Sequence, residues 1–475
     1  MSGPADPYDE LPYTDHAYAE SHPDRLAVVA RLAGWEPPDL ATARVLELGC
    51  GRGGNLLPMA AALPSATLVG VDRSARQIDE ARRIASDAGL SNVRFVADTF
   101  EAIDVTACDF VVAHGVASWI PVASRRSLLA AVARSLAPGG IAYVSFNVLP
   151  GWYDRLAARD WLRFASGRSE LGSLGWLRDR VSPELADYRR RLEAVERRLA
   201  QTERAYQVHE YLADEHHPIL VKDLLAEAGR AGLRYLGDAI PSETAFELLP
   251  GELGETARHL DAADAQQLVD FVRCTAFRRA LFVRADTCEA RGWRWSSRLK
   301  VEALDDLRVA SRLRPHAQAA TGRRERFDGA DISVEVDDEA ARAALRALAQ
   351  IAPRSRPLRE LADEAGRVRL RTELFDLWLA TGAVDLHVHE PPLGDGASAR
   401  PVGCPVARWH AAHGGPITNR WHQQVELADA PLRPILSRLD GTRTVDEAAR
   451  DAGCSGELAA AAVAALAASA LLVGS

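Results

Sequence analysis

Val45, Leu46 and Leu48 form an apolar run, interrupted by Glu47, that stops in glycine: the stretch VLELGCGRGGN, residues 45–55, contains four. A short apolar run ending on glycines predicts a buried strand followed by a loop. Related patterns follow. LLPMAAALPSATLVGVDRS supplies an apolar helix, a turn at Leu63–Pro64 and a second strand ending in Asp72. NVRFVADTFEAID predicts a third strand ending at Asp98. CDFVVAHGVASWIP predicts a fourth, running into a loop with His114, Trp119 and Pro121. SRRSLLAAVARSLAPGGIAYVSF then gives a helix, a Pro-Gly-Gly turn and a fifth strand. Strands alternating with helices predict an α/β fold built of βαβ units.

Further along, the period changes. From Asp154 to about Gln207 it is helical, and ELADYRRRLEAVERRLAQTERAY carries charge pairs four residues apart. The C-terminal part repeats itself at an offset of 87, which relates Leu345 to Leu432 and Gly366 to Gly453. Each copy reads as helix, turn, helix, Ala-Gly, long helix and apolar strand. DISVEV and ITNRWHQQVEL are the preceding strands, a winged-helix order. The last helix of the second copy, from Ala459 to Leu472, has no charge and is expected to be buried. A recognition helix needs phosphate-binding and base-reading side chains; the first copy offers Arg367, Arg369 and Arg371, which could equally cap a domain interface, so protein docking or scaffolding is favoured over DNA.

Glycine costs backbone entropy, so its density at 49–54 needs a cause, either left-handed backbone or close approach of a ligand. Asp72, 23 residues beyond Gly49, is placed to accept hydrogen bonds from ribose hydroxyls. A dinucleotide satisfies that much too. The spacing, however, is E-x-G-x-G-x-G with an acid before the loop. It resembles the class I, Rossmann-like methyltransferases that use S-adenosylmethionine, whose amino-acid tail runs along the glycines. In that class Asp98 stands where the adenine amino group is held, and LAPGG is a common turn before the fifth strand. Asp98 as a helix cap and Gly139–Gly140 as a plain turn are the bland alternatives.

Composition narrows the class. With 475 residues, 47% hydrophobic and 26% charged, the chain is expected to form about three globular domains. Net charge is −9, against a general nucleic-acid binder. No membrane segment or leader is read from the sequence. The six scattered cysteines, without a CxxC pair, predict reduced thiols, no metal site and a cytoplasmic protein.

A closer resemblance covers nearly the whole chain. YDELPYTDHAYAESHPDRLAVVARLAG, HGVASWIP, VSFNVLPGW, QVHEYLADEHHP and PVARWHAAHGGPITNRWHQQVEL are similar to bacterial methyltransferases with a regulatory domain. That group includes rickettsial enzymes methylating lysines of outer-membrane proteins. The chain departs from it at Phe146, Leu149 and Ala117, on the acceptor side. The resemblance implies a methyltransferase core over 1–165, a helical linker over 166–205, a regulatory domain over 206–298 packed on the core, and winged-helix-like modules over 299–392 and 393–475.

The implied cofactor is S-adenosylmethionine, held by Glu47, Gly49, Gly51, Gly53, Asn55, Asp72, Arg73, Gln77, Asp98, Thr99 and His114. The candidate catalytic residues are Tyr13, His114, Asn147 and Trp152, with Trp119 and Tyr153 as further aromatic walls. His114 is read as an adenosyl contact, a base, or simply a hydrogen-bonded histidine. His209 and Glu210 are read as docking residues, and the adjacent His216–His217 pair as unsuited to zinc. The expected partner is a protein or peptide acceptor carrying a lysine-type nitrogen; the alternatives are a small-molecule O- or N-acceptor and a non-catalytic regulator. Because the cofactor residues lie in the first hundred or so positions, a chain ending near Gly292 is expected to retain cofactor binding.

Overall fold

The computed structural model describes residues 16–168, 171–316, 324–429 and 431–474. A seven-stranded sheet holds β1 (Arg44–Leu48), β2 (Thr67–Asp72), β3 (Val93–Ala97), β4 (Cys108–Ala113), β5 (Leu136–Asn147), β6 (Leu233–Asp238) and β7 (Phe277–Arg284). Their order is β3-β2-β1-β4-β5-β7-β6. The first five are parallel, and β7 runs antiparallel between β5 and β6. The strand order reverses between β1 and β4, which places a ligand crevice at the carboxyl ends of those two strands. The glycine loop leaves one and the His114 loop the other.

Three expectations are corrected here. β6 and β7 lie inside the span 206–298, so that segment completes the central sheet instead of packing over it. Arg278 on β7 ties it to its neighbours. It is fully buried, pairs with Asp238 and Asp270 at 2.8 Å each, and donates to Gln266. Second, the span 166–205 is more than a linker. The Tyr153–Ala165, Leu174–Arg178, Ala186–Ala200 and Arg204–Leu212 helices share a small core of Ala158, Leu174, Leu192, Val195 and Tyr211. Third, the Pro138–Gly140 stretch lies within β5. A register shift opposite Cys108–Phe110 accommodates it, with Gly139 at φ +87 and no room for a Cβ on Gly140 beside the Cys108 carbonyl.

The C-terminal repeat is real in its elements. In the first copy the Glu339–Ile351 and Glu364–Asp376 helices precede a strand at Asp385–His387. In the second, the Leu432–Arg438, Val445–Ala452 and Gly456–Ala468 helices precede Leu472–Val473. The last helix is only half buried, against expectation. Ala459, Ala462, Val463, Leu466 and Ala467 face inward, while Leu458 is 48% exposed. Alanine exposes so little apolar area that an uncharged alanine helix needs cover on one face only. Among the described residues no single helix is long and apolar enough to cross a membrane; only the bent pair Val445–Ala452 and Gly456–Ala468, at 109°, passes jointly.

The modules do not stand apart. One apolar core runs from Leu26, Leu56 and Met59 to Val406, Ile435, Leu436 and Leu466. The Pro23–Leu32 helix is buried nearly all round. Leu26, Ala27, Val29 and Ala30 join that core, and Val28 and Leu32 join the core of the first module.

Candidate active site

Gly49, Gly51 and Gly53 adopt φ of +77°, +52° and +80°, which L side chains rarely accept. Space is short as well: a Cβ on Gly49 would lie 2.5 Å from Val116, and one on Gly51 3.0 Å from the Gln77 amide oxygen. Asp72 ends β2 half-buried, and its carboxylate accepts from the backbone N–H of Gly51 and of Ser74, each at 2.9 Å. Asp98 is exposed one strand away; its amide donates to the Asp72 carbonyl, and its side chain accepts from Thr99 N–H at 2.8 Å. Gln77 lies in the first turn of the Ala75–Asp87 helix, and Arg73 is exposed beside it. The predicted cofactor residues therefore share one edge of the sheet.

Glu47 and Asn55 form the buried floor of this half. Asn55 donates to Glu47 Oε1 at 2.8 Å, and its own oxygen accepts the Tyr18 backbone N–H at 2.9 Å. Glu47 Oε2 has no hydrogen-bond partner among the described residues, and burial pushes this carboxyl up to about 8.

His114 follows β4. Its Nδ1 lies 2.8 Å from the Tyr143 hydroxyl, and Tyr18 stacks on its ring at 3.5 Å. Burial, reinforced by Arg279, brings its pKa down to about 3. The ring is neutral, partnered and a poor base; the geometry matches the hydrogen-bonded histidine reading. Tyr13 lies outside the described residues. Among the described residues, Tyr18, five positions on, reaches the site.

The other half lies past β5. The Asn147 amide Nδ2 is 3.0 Å from His216 Nε2, and the His216 ring sits 4.5 Å from Trp119 and 4.2 Å from Trp152. Backbone bonds fix the group: Asn147 N–H donates to Ser118 Oγ, and His217 N–H to the Ser118 carbonyl. His216 Nδ1, Trp152 Nε1 and the Tyr211 hydroxyl are buried with no hydrogen-bond partner among the described residues. Burial, with Arg159, lowers His216 to about 3, so it too is neutral. Tyr153 is instead 55% exposed. His209 and Glu210 are buried on the Arg204–Leu212 helix, and burial raises Glu210 to about 7.

Residue spacing pointed at Asn147, Trp119 and Trp152 but passed over His216, which lies 69 residues from Asn147. The signal for it is the HEYLADEHHP stretch, which carries the family resemblance and in which the adjacent His216–His217 pair is unsuited to zinc.

Comparison with known proteins decides the family. Residues 45–140 match the Methyltransferase domain, 203–284 the Predicted methyltransferase regulatory domain, and 399–451 the PKMT, C-terminal winged helix domain. Uncharacterized protein RP028 of Rickettsia prowazekii is 32% identical over 218 residues, 44% of this chain and 87% of its own length. The chain belongs to the methyltransferases that carry this regulatory domain. RP789 from the same organism is also 32% identical, over 292 residues; the chain spans about half of that relative's length, 53%. PKMT2 from Rickettsia typhi, solved in complex with AdoHcy, has the same fold. Its TM-score is 0.82 at 22% identity, over 98% of this chain and 100% of that one.

The cofactor of the family, S-adenosylmethionine, fits the residues present. The loop is a cradle that a Cβ would fill at Gly49 and Gly51, and Asp72 offers a carboxylate to the ribose. The unpartnered, buried Glu47 oxygen beside the loop suits the ammonium of the amino-acid tail.

Proposed function

We propose that this protein transfers a methyl group from S-adenosylmethionine to a lysine-type nitrogen of a protein or peptide. The observation that carries the reading is the Asn147–His216 pair walled by Trp119 and Trp152. It hangs from the same Ser118 loop that follows β4 at the cofactor crevice.

Bound S-adenosylmethionine supplies an electrophilic methyl on a sulfonium; the chain has to present a lone pair to it and exclude water. A lysine ammonium must first lose a proton, which costs roughly 4–5 kcal/mol at pH 7. Aromatic faces attract the incoming cation, whereas burial then favours its neutral form. Asn147 Oδ1 is a neutral acceptor for the remaining N–H that does not restore the charge, and His216, whose Nε2 accepts from Asn147 Nδ2, holds that amide in place. The rickettsial resemblance of the sequence supports the lysine acceptor, and accessory modules far larger than a small substrate needs support a macromolecular one.

The test is incubation with methyl-labelled S-adenosylmethionine and host lysate, followed by amino-acid analysis. Label on lysine in the macromolecular fraction is expected; label confined to small molecules would transfer the assignment to a small-molecule methyltransferase. His216→Ala should lower transfer about tenfold, as for one lost hydrogen bond, while leaving cofactor affinity unchanged.

A further inference from the structure

The hydrogen-bond chain that ends on Glu47 begins almost four hundred residues away. His422 belongs to the second winged-helix module, yet its Nε2 lies 2.8 Å from Asn55 Oδ1. The atom roles are fixed by the surroundings. Because Tyr18 N–H donates to Asn55 Oδ1, that atom is the acceptor, so His422 carries its proton on Nε2. Asn55 Nδ2 then points to Ser21 Oγ at 3.0 Å and Glu47 Oε1 at 2.8 Å.

The loop that carries His422 is built to hold it. His422 is 1% exposed and sits at φ +58°, a backbone conformation that non-glycine residues keep only where their surroundings enforce it. Asn419 enforces it, accepting from the N–H groups of Trp421 and Gln423 and donating to the Ser469 carbonyl. The same loop grips the far end of the glycine-loop helix, Leu56–Ala62, where buried Arg420 donates to the Ala61 carbonyl at 3.2 Å. Neither contact is needed for a winged helix to fold. Both act on the one helix whose N-terminal end carries the cofactor loop.

We propose that His422 is a positioning residue for the cofactor: through it the C-terminal module locks Asn55, and so Glu47, in the orientation the amino-acid tail requires. The inference rests on the reading of the glycine loop as the cofactor site. It assigns the module a part in that site beyond any docking of the acceptor.

The experiment is calorimetric titration of the full chain with S-adenosylhomocysteine, beside thermal unfolding of the same ligand-free variants. His422→Gly removes the side chain while suiting the positive φ. It should weaken binding about tenfold, the effect of one buried hydrogen bond, at temperatures where the ligand-free variant, with its unfolding temperature lowered by the cavity, is still fully folded. His422→Gln, which restores an N–H donor, should recover part of the affinity. Asn55→Ala combined with His422→Gly should bind no worse than Asn55→Ala alone, since both remove the same link. Unchanged affinity in His422→Gly, or a loss that tracks unfolding and is not rescued by His422→Gln, overturns the proposal. Wild-type protein that binds no S-adenosylhomocysteine overturns the cofactor reading itself, a separate outcome.

Discussion

Asp72 holds two backbone N–H groups before any ligand arrives, from Gly51 and Ser74. Its carboxylate therefore orders the glycine loop, and the proposed ribose contact falls to the same group. Asp72→Ala should weaken S-adenosylmethionine binding by ~1.5–3 kcal/mol, the range for a hydrogen bond to a charged group, as measured by calorimetry. The histidines give a second expectation at this scale. His216 is held neutral to about 3 by burial. In the unfolded chain a histidine takes up its proton below about 6.5. Between those values the unfolded state binds more protons, so this residue's contribution to stability falls as pH falls. The raised carboxyls of Glu47 and Glu210 act with the opposite sign, so the histidine contribution is read as a difference. Relative to wild type, His216→Asn should flatten the acid side of the stability curve by ~1.4 kcal/mol per pH unit below pH 6.5, measured by urea unfolding.

Among the elements, β7 is the one whose placement matters most. It lies between β5 and β6 with Ala280, Leu281, Phe282 and Val283 buried in the cores on the two faces of the sheet, and Arg278 pairs there with Asp238 and Asp270. Removing one partner of such a group leaves buried carboxylates uncompensated. Arg278→Ala should destabilise the fold by about 3–5 kcal/mol in equilibrium unfolding. The C-terminal repeat shows the limit of reading elements from sequence identity. Gly453 ends the Val445–Ala452 helix at φ +70°, whereas Gly366, its counterpart by the 87-residue offset, lies within the Glu364–Asp376 helix. The same dipeptide serves as a stop in one copy and as a first turn in the other. The second helix of the first copy has shrunk to a single turn at Leu358–Glu360, so its third helix starts earlier.

At the scale of the whole molecule, the module boundaries carry more stability than independence. A chain ending at Gly292 would lose Val406, Ile435, Leu436 and Leu466 from the core it shares with the glycine-loop helix. It would also leave buried Asp24 without His387, its partner at 2.7 Å. The expectation from sequence that such a chain binds cofactor is reversed: it should aggregate or unfold, with no cooperative transition by calorimetry and no binding of S-adenosylhomocysteine. The sequence alone determined the βαβ order, the positive-φ glycine loop, the positions of Asp72 and Asp98 at the ends of their strands, and the duplication. These rest on local signals: a backbone needing positive φ, a strand ending on an acid, a period of apolar residues. It also placed Asn147, Trp119 and Trp152 near one edge, because strand ends in an open sheet converge there. What only the tertiary structure decided were the pairings across long separations. His216 joins Asn147, His422 joins Asn55, Arg278 joins Asp238 and Asp270, and Asp24 meets His387. None leaves a periodic trace, because a buried polar group is specified by the partner that satisfies it, and that partner is chosen by packing.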